Sequence, residues 1–296
     1  MRVFVTGASG FVGSAVVREL VDAGHHVVGL VRSDHSAATV EAAGAQVHRG
    51  DLTDLAGLRQ AASGVDGVIH TAFNHDYRDF DGACATDRAV IEAFGETLAG
   101  SDRPLIVTSG LGSLKRVPCR LANEDDALDH HGPAAHRVPS ETLAMSYADR
   151  GVRVSVVRLS LSVHGEGDHG MVPALIDSAR ARGFVPRIGD GTNRWPAVHR
   201  LDAARLYRLA LESAPAGSNL HGIAEEGVPL RDTTEVIARN LNLPVTETDG
   251  ADLGFVSSFL GGDFPSSGER TRKLLGWHPT NRGLIEDLEQ GNYFTD

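Results

Sequence analysis

The residues with the clearest chemical meaning stand at positions 2 to 13, in the sequence RVFVTGASGFVG. A β-branched run leads directly into three glycines, and an apolar helical pattern follows them. A strand, a tight glycine turn and a helix N-terminus in this order form a cradle for the diphosphate of a dinucleotide. The residues expected to form the cradle are Thr6, Gly7, Ser9, Gly10, Phe11, Val12 and Gly13.

The end of the second predicted strand indicates which dinucleotide the cradle would bind. A cofactor of the NAD type needs an acidic side chain there to hold the ribose hydroxyls. This chain has Arg32 and Ser33 at that point, with Asp34 next. A guanidinium suits a ribose 2′-phosphate, and a serine hydroxyl can add a hydrogen bond, so we expect NADP(H). The alternative is a solvated Arg32, with Asp34 reaching the ribose.

Two further strand ends are expected to line the cofactor. The Asp51 carboxylate is placed to accept a hydrogen bond from the adenine amine while Leu52 covers the ring, although Asp51 can equally cap a helix. After the fourth strand, Thr71, Ala72 and Phe73 would line the ribose and the nicotinamide.

The elements that must position these residues alternate regularly through the first half of the chain. Near-continuous apolar strands separated by amphipathic helices predict a parallel sheet covered on both faces. The fold class is therefore α/β, a doubly wound Rossmann sheet with a small C-terminal α/β substrate lobe. We expect an NADP-binding domain over 1–160 and a mainly substrate-binding lobe over 161–296, some of whose segments can return to the first domain. The six predicted strands are 2–6, 25–31, 45–50, 66–72, 104–110 and 152–159.

The composition of the chain limits the kinds of molecule that it is expected to bind. The net charge is −11 and the charges are scattered, which argues against nucleic acid or an anionic membrane as the main partner. No apolar run approaches the roughly 20 residues that cross a bilayer. Cys84 and Cys119 lack metal-ligand spacing and are typical of reduced thiols in a cytoplasmic protein. We expect a small-molecule substrate, no metal, and a possible homodimer in which the apolar stretch 83–99 takes part.

Several motifs together resemble the extended short-chain dehydrogenase/reductase superfamily over nearly the whole chain. In that family LIVTSG would place the catalytic serine at Ser109, and the resemblance implies a nicotinamide cofactor and oxidoreductase chemistry. The other matching segments are TGASGFVG, RGDLTD, VIHTAF, RLSLSVHGEGDHG and AVHRLDAARLYRLAL.

One family motif is missing. The chemistry of the family normally depends on YxxxK, in which a tyrosine exchanges the substrate proton and a lysine lowers its pKa. None of the four tyrosines has a lysine four positions later, and the only lysines are Lys115 and Lys273. The register set by Ser109 and by Arg158 puts two other residues there. His136 stands at the tyrosine position and Ser140 at the lysine position. The chain therefore resembles an atypical member of the family.

The residues at the tyrosine and lysine positions, together with Ser109, determine which chemistry is possible without YxxxK. Positions 136 and 140 are four apart, so we expect both side chains on one helical face. His136 can act as a general acid, or it can simply be a histidine partly buried between helix and sheet. Ser140 can bond a ribose hydroxyl without supplying charge. Ser109 can orient a carbonyl or imine, or only cap its strand.

Other polar residues are candidates for substrate contact. His75 and Tyr77 follow Phe73 and would stand beside the nicotinamide, unless they belong to an exposed loop. His164 and His169 lie in a glycine-rich loop, where no third metal ligand is evident. Arg194 can bind an anionic substrate group or form a structural salt bridge.

Two functions of different kinds fit these residues. The first is an NADPH-dependent reductase that transfers hydride to a small or medium-sized C=O or C=N group, with an atypical proton donor. The alternative is a non-catalytic NADP(H)-binding sensor or regulatory protein. Nucleotide-sugar epimerisation or dehydration is disfavoured, since it usually depends on the absent tyrosine.

Overall fold

The computed structural model of the chain describes residues 1–75, 77–250 and 256–294. Within these ranges, seven parallel strands form a central sheet in the order β3-β2-β1-β4-β5-β6-β10. This is the predicted α/β Rossmann fold. The strands are β1 (Arg2–Thr6), β2 (His26–Val31), β3 (Gln46–Arg49), β4 (Gly67–His70), β5 (Pro104–Gly110), β6 (Arg153–Leu159), β7 (Ser162–His164), β8 (Val185–Arg187), β9 (Arg194–His199), β10 (Ser218–Gly222), β11 (Glu225–Pro229) and β12 (Val245–Glu247).

Helices cover both faces of this sheet because its central strands are apolar on both sides. Val3 and Val5 pack with α1 and α7 on one face, whereas Phe4 packs with α3, α4 and α5 on the other. The helices are α1 (Phe11–Asp22), α2 (Asp34–Ala42), α3 (Leu55–Ser63), α4 (Phe80–Leu98), α5 (Val138–Ser146), α6 (Met171–Arg182), α7 (Arg200–Ser213), α8 (Leu230–Leu241), α9 (Ser257–Leu260), α10 (Glu269–Leu275) and α11 (Leu284–Gln290).

The order of the strands creates a crevice at the carboxyl edge of the sheet. From β1 the chain moves outward through β2 and β3, and then returns to place β4 on the other side of β1. Thr6 and His70 are register partners at the ends of β1 and β4. Ligands of open α/β sheets bind at such a switch point.

The central sheet has one strand more than the six predicted over 1–160. The extra strand, β10, pairs in parallel with β6 from Ser218 opposite Ser155 to Gly222 opposite Leu159. The sequence SNLHGIA at 218–224 predicts this strand, and it is one of the segments of the C-terminal half that return to the first domain. Because α7 also packs on α1, the segment 200–222 belongs with the large sheet. The domain limits given above remain predictions.

The rest of the C-terminal half forms a small α/β lobe. Strand β9 pairs with β7 in parallel and with β11 in antiparallel fashion, and β8 pairs with β12 in parallel. Trp195 is buried in the core of the lobe together with side chains from α6, α8 and α11. No helix in the described ranges is both long enough and apolar enough to span a membrane.

Candidate functional site

The glycine loop after β1 has the geometry of a diphosphate cradle. Gly7 has a φ of +69°, and a Cβ added to Gly13 would lie 2.0 Å from the Gly7 carbonyl oxygen. Only glycine therefore lets α1 start this close to the strand end. Gly10 caps α1 without a side-chain hydrogen bond, and the first turn carries no acidic residue. The first-turn amides and the positive end of the helix are thus available to an anion.

The other predicted cradle residues have different environments. Ser9 is exposed, Phe11 is half-buried, and Val12 packs against the core beside α1. Thr6 is fully buried, and its hydroxyl accepts a hydrogen bond from the Ala72 amide over 3.3 Å. The Thr71 hydroxyl donates to the Thr6 carbonyl over 2.7 Å. Thr6 therefore lies beneath the crevice and holds Thr71 and Ala72 in place by hydrogen bonds.

Arg32 and Asp51, which follow β2 and β3, lie close together at the carboxyl edge of the sheet. A guanidinium nitrogen of Arg32 lies 3.8 Å from a carboxylate oxygen of Asp51, and the Arg32 side chain is 78% exposed. Hydrogen bonds from the amide and hydroxyl of Thr53 hold the pKa of Asp51 below its usual value. Leu52 is half-buried beside it and packs against the core.

The two residues after Arg32 are engaged locally. The Ser33 hydroxyl accepts a hydrogen bond from the Ser36 amide at the start of α2. The Asp34 carboxylate accepts one from Arg49 over 2.5 Å. The Asp34 side chain is 94% exposed, but its carboxylate pairs with Arg49 of β3, whereas the Arg32 guanidinium lies on the side of Asp51.

A buried polar network lies directly beneath the crevice, and the sequence did not predict it. His70 has Nδ1 2.6 Å from the Thr6 hydroxyl and Nε2 3.2 Å from Asp87. The other oxygen of Asp87 lies 3.2 Å from the guanidinium of Arg137. Burial alone would raise the pKa of Asp87, but the His70 hydrogen bond and the Arg137 charge outweigh it and hold the pKa low.

Arg137 joins this network to the end of β5. Its guanidinium donates a hydrogen bond to the Thr108 carbonyl over 3.1 Å and lies 4.0 Å from the centre of the Phe73 ring. Both predicted catalytic residues adjoin this contact, because His136 precedes Arg137 and Ser109 follows Thr108. The structure thus brings His136 and Ser109 to the same edge of the sheet.

Ser109 presents an unsatisfied hydroxyl at this edge. The residue is 7% exposed, and its Oγ makes no hydrogen bond within the described part of the chain. Buried polar atoms in native proteins nearly always have a partner, so the Ser109 hydroxyl is available to donate a hydrogen bond at the end of β5. A carbonyl oxygen or an imine nitrogen is a suitable acceptor for it.

His136 does not share a helical face with Ser140, contrary to the expectation from spacing. His136 lies in a 3₁₀ turn (Ala135–Arg137) before α5, whereas Ser140 lies within α5. The His136 side chain is 56% exposed, with Nδ1 2.8 Å from Asp81. Ser140 is buried beside Asp87. The two residues therefore have different surroundings.

Comparison with known proteins identifies the family to which the chain belongs. The family model described as NAD(P)H-binding matches residues 7–153. The chain is 46% identical to an uncharacterized protein of Schizosaccharomyces pombe over 99% of this chain and all of the relative. It is 30% identical to the 2′-dehydrokanamycin reductase of Streptomyces kanamyceticus, over 82% of this chain and 68% of that protein. The chain belongs to the extended short-chain dehydrogenase/reductase family.

Solved structures agree with this assignment at the level of the fold. The dTDP-glucose 4,6-dehydratase DesIV of Streptomyces venezuelae, solved with NAD bound, matches 97% of this chain and 96% of its own, with a TM-score of 0.78 and 23% identity. The chain is thus an NAD(P)-binding member of an oxidoreductase and epimerase family.

In this short-chain dehydrogenase/reductase, aromatic rings connect the two groups of predicted catalytic and substrate residues. Ring centres lie 5.2 Å apart for His75 and Phe73, 5.7 Å for Phe73 and Phe80, and 5.8 Å for Phe80 and His136. Desolvation by neighbouring atoms and the charges of Arg137 and His169 lower the pKa of His75. The Tyr77 side chain lies outside the described part of the structure.

The C-terminal lobe places its three predicted substrate residues differently. His169 packs edge-on against Phe11, with ring centres 5.6 Å apart, at the rim of the cradle. His164 is fully buried, with Nδ1 2.9 Å from Asp287, and its contact with substrate stays a prediction. Arg194 donates two hydrogen bonds to Asp263, over 3.1 and 2.9 Å, so it forms the structural salt bridge that was its alternative role.

The tyrosines whose side chains are described differ from the acidified tyrosine of the family. Tyr147, Tyr207 and Tyr293 all have raised pKa values, with burial as the largest cause. Tyr207 is the one nearest to the end of β5, with its hydroxyl 2.7 Å from that of Thr108. A phenol with a raised pKa is a poor proton donor at neutral pH.

Proposed function

We propose that this protein is an NADPH-dependent reductase of the atypical short-chain dehydrogenase/reductase type. Its substrate would be a small or medium-sized ketone or imine, and His136 would be the proton donor. The observation that carries the proposal is the orphaned, buried hydroxyl of Ser109 at the crevice edge. A family relative named as a reductase supports the same type of chemistry.

The residues around the glycine loop fit a bound dinucleotide. The Phe11 and Val12 amides would hold its diphosphate, and Thr71, Ala72 and Phe73 would line the nicotinamide half. The cofactor supplies the hydride when it is bound. The exposed guanidinium of Arg32 supports the choice of NADP(H), because its carboxylate contact with Asp51 is long, at 3.8 Å, and leaves it able to pair with a 2′-phosphate.

The protein groups would orient the substrate and supply the proton. The Ser109 hydroxyl donates a hydrogen bond to the carbonyl oxygen or imine nitrogen. Asp81 holds Nδ1 of His136, which leaves Nε2 to donate the proton as the carbon accepts hydride. One hydride and one proton give an alcohol or amine together with oxidised cofactor. An imine needs less acid assistance than a ketone because it can be protonated beforehand, which favours C=N substrates.

We further propose a reducing compartment, the cytoplasm, for this reaction. Cys84 is buried and Cys119 is exposed, and neither forms a disulfide. Reducing compartments keep thiols in this form.

The proposal is tested by mixing purified protein and NADPH with a panel of ketones, aldehydes and cyclic imines, and following absorbance at 340 nm. We expect turnover with at least one class and its loss in Ser109→Ala. Ser155→Ala is the matched control, since Ser155 is also buried with an unpaired hydroxyl but lies in the middle of β6. Tight NADPH binding without turnover of any substrate would instead support the sensor function.

A further inference from the structure

Arg200, the first residue of α7, lies against the first turn of α1. Its guanidinium donates a hydrogen bond to the Ser14 hydroxyl over 3.3 Å and another to the Glu166 carbonyl. The guanidinium carbon is 5.0 Å from the centre of the Phe11 ring. Arg200 therefore connects the C-terminal half of the chain to the helix that begins at the cradle.

No carboxylate among the described residues forms a close ion pair with Arg200, although the charge of Glu166 acts on it at longer range. Its Nε is buried without a hydrogen-bond partner, and no carboxylate lies within ion-pairing distance of the guanidinium. Burial lowers the pKa of Arg200. Arg208, on the same helix, is different: it pairs with Glu19 over 2.7 Å and with Glu212 over 2.9 Å. Arg200 is thus a half-buried cation that lacks the usual partner of a half-buried cation.

The position of the Arg200 guanidinium indicates which kind of ion would pair with it. The N-terminus of a helix carries a partial positive charge, so a cation beside it is unfavourable unless an anion lies between them. No acidic side chain stands in the first turn of α1 to provide that anion. A bound phosphate group would interact favourably with both the first-turn amides and the guanidinium.

A second side chain of the lobe also contacts Phe11. Arg200 separately borders a cavity of about 730 Å³, which is lined by the loop at 165–168, the start of α7 and the C-terminal segment 281–293 and by no residue of the glycine loop. On another side of Phe11, His169 packs edge-on against the same ring. The two lobe side chains thus flank the residue whose amide belongs to the cradle.

We propose that Arg200 binds the diphosphate of the dinucleotide from the side of the lobe. The inference rests on the cofactor half of the proposed function and is independent of the reductase chemistry. Because the diphosphate is common to NADPH and NADH, Arg200 would strengthen the binding of both, whereas Arg32 would distinguish them. The lobe would then take part in holding the cofactor as well as the substrate.

The test is a fluorescence titration of NADPH and NADH against wild type, Arg200→Ala, Arg200→Lys and Arg208→Ala. We expect Arg200→Ala to weaken both nucleotides equally, by about 10- to 100-fold, as is usual for loss of a charge-assisted hydrogen bond. Arg200→Lys should recover part of the loss. Arg208→Ala is the matched control, since it removes another contact between α7 and α1 at a distance from the cradle, and its dissociation constants should stay within about twofold of wild type.

Adenosine 2′-phosphate separates a phosphate contact from a structural effect, because it lacks the diphosphate. Its affinity should be the same in wild type and Arg200→Ala. Unchanged NADPH affinity in Arg200→Ala, or an equal loss for adenosine 2′-phosphate, would overturn the inference. Arg200→Met, which keeps the apolar stem, serves as the second variant should the alanine variant unfold. Absence of turnover with every substrate would refute the reductase without affecting this titration.

Discussion

Arg137 donates a hydrogen bond to the main-chain carbonyl of Thr108 over 3.1 Å, and this contact fixes the turn that carries His136 to the strand end that carries Ser109. Asp87 holds the other side of the same guanidinium at 3.2 Å. The side chains of Arg137 and Asp87 are only 16% and 3% exposed. The geometry of the candidate catalytic site therefore depends on a buried ion pair.

We predict that Asp87→Asn destabilises the protein by about 3–5 kcal/mol, because it leaves the buried guanidinium of Arg137 without its counter-ion. Urea unfolding followed by circular dichroism measures this change. Asp263→Asn is the control, since it breaks the more exposed pair with Arg194, for which a loss of at most about 1 kcal/mol is expected. Equal losses in the two variants would show that the Asp87 pair has no special importance.

His136→Gln is expected to lower the kcat of substrate reduction by about 100-fold or more, which is typical of losing a general acid. The NADPH dissociation constant should not change, because His136 lies outside the cradle. Asp81→Asn should give a smaller loss and displace the pH–rate profile, since Asp81 only orients the imidazole. His131→Gln removes a nearby exposed histidine and serves as the control. A normal kcat in His136→Gln would contradict its role and direct attention to His75.

Features set by local sequence could be predicted, as β1 and its glycine turn show. The run Val3–Val5 and the glycines at 7, 10 and 13 are close together in the chain, so spacing alone indicated strand, turn and helix. The expectation that His136 and Ser140 share one helix put the start of that helix too early, because α5 begins at Val138. Pro139 is the second residue of α5, a position that suits proline, and could have shown that the helix begins at Val138.

Features that depend on distant residues could not be predicted in this way. Thr6, His70, Asp87 and Arg137 come from four separate elements and meet only after the sheet has formed. Nothing in local periodicity indicates which buried polar residues will pair. The isolated polar residues His70, in an apolar strand, and Asp87, on the buried face of α4, were the available signals.

Stability is predicted to fall as the pH decreases from about 6.5 towards 4. Burial, aided by the charge of Arg158, lowers the pKa of His221 from 6.5 to about 4 in the folded protein. Between these values the unfolded chain binds more protons at this residue than the native state does. Each pH unit in that range therefore costs up to about 1.4 kcal/mol.

The measurement is urea unfolding at pH 7 and pH 5 for wild type and His221→Gln. Carboxylates contribute to the pH dependence of both proteins, so the difference between them isolates the histidine. The wild type should lose about 2 kcal/mol more than the variant over this interval. An identical pH dependence in the two proteins would argue against the lowered pKa of His221.

The central claim is that the glycine cradle binds a pyridine dinucleotide and that Arg32 selects the 2′-phosphate, and calorimetry with NADPH and NADH tests it most directly. Wild type should bind NADPH about 10- to 100-fold more tightly than NADH. Arg32→Ala should remove that preference, whereas Arg49→Ala, which changes an exposed arginine on the neighbouring strand, should keep it. No heat of binding with either nucleotide at millimolar concentration, or equal affinity of wild type for both, would contradict the claim.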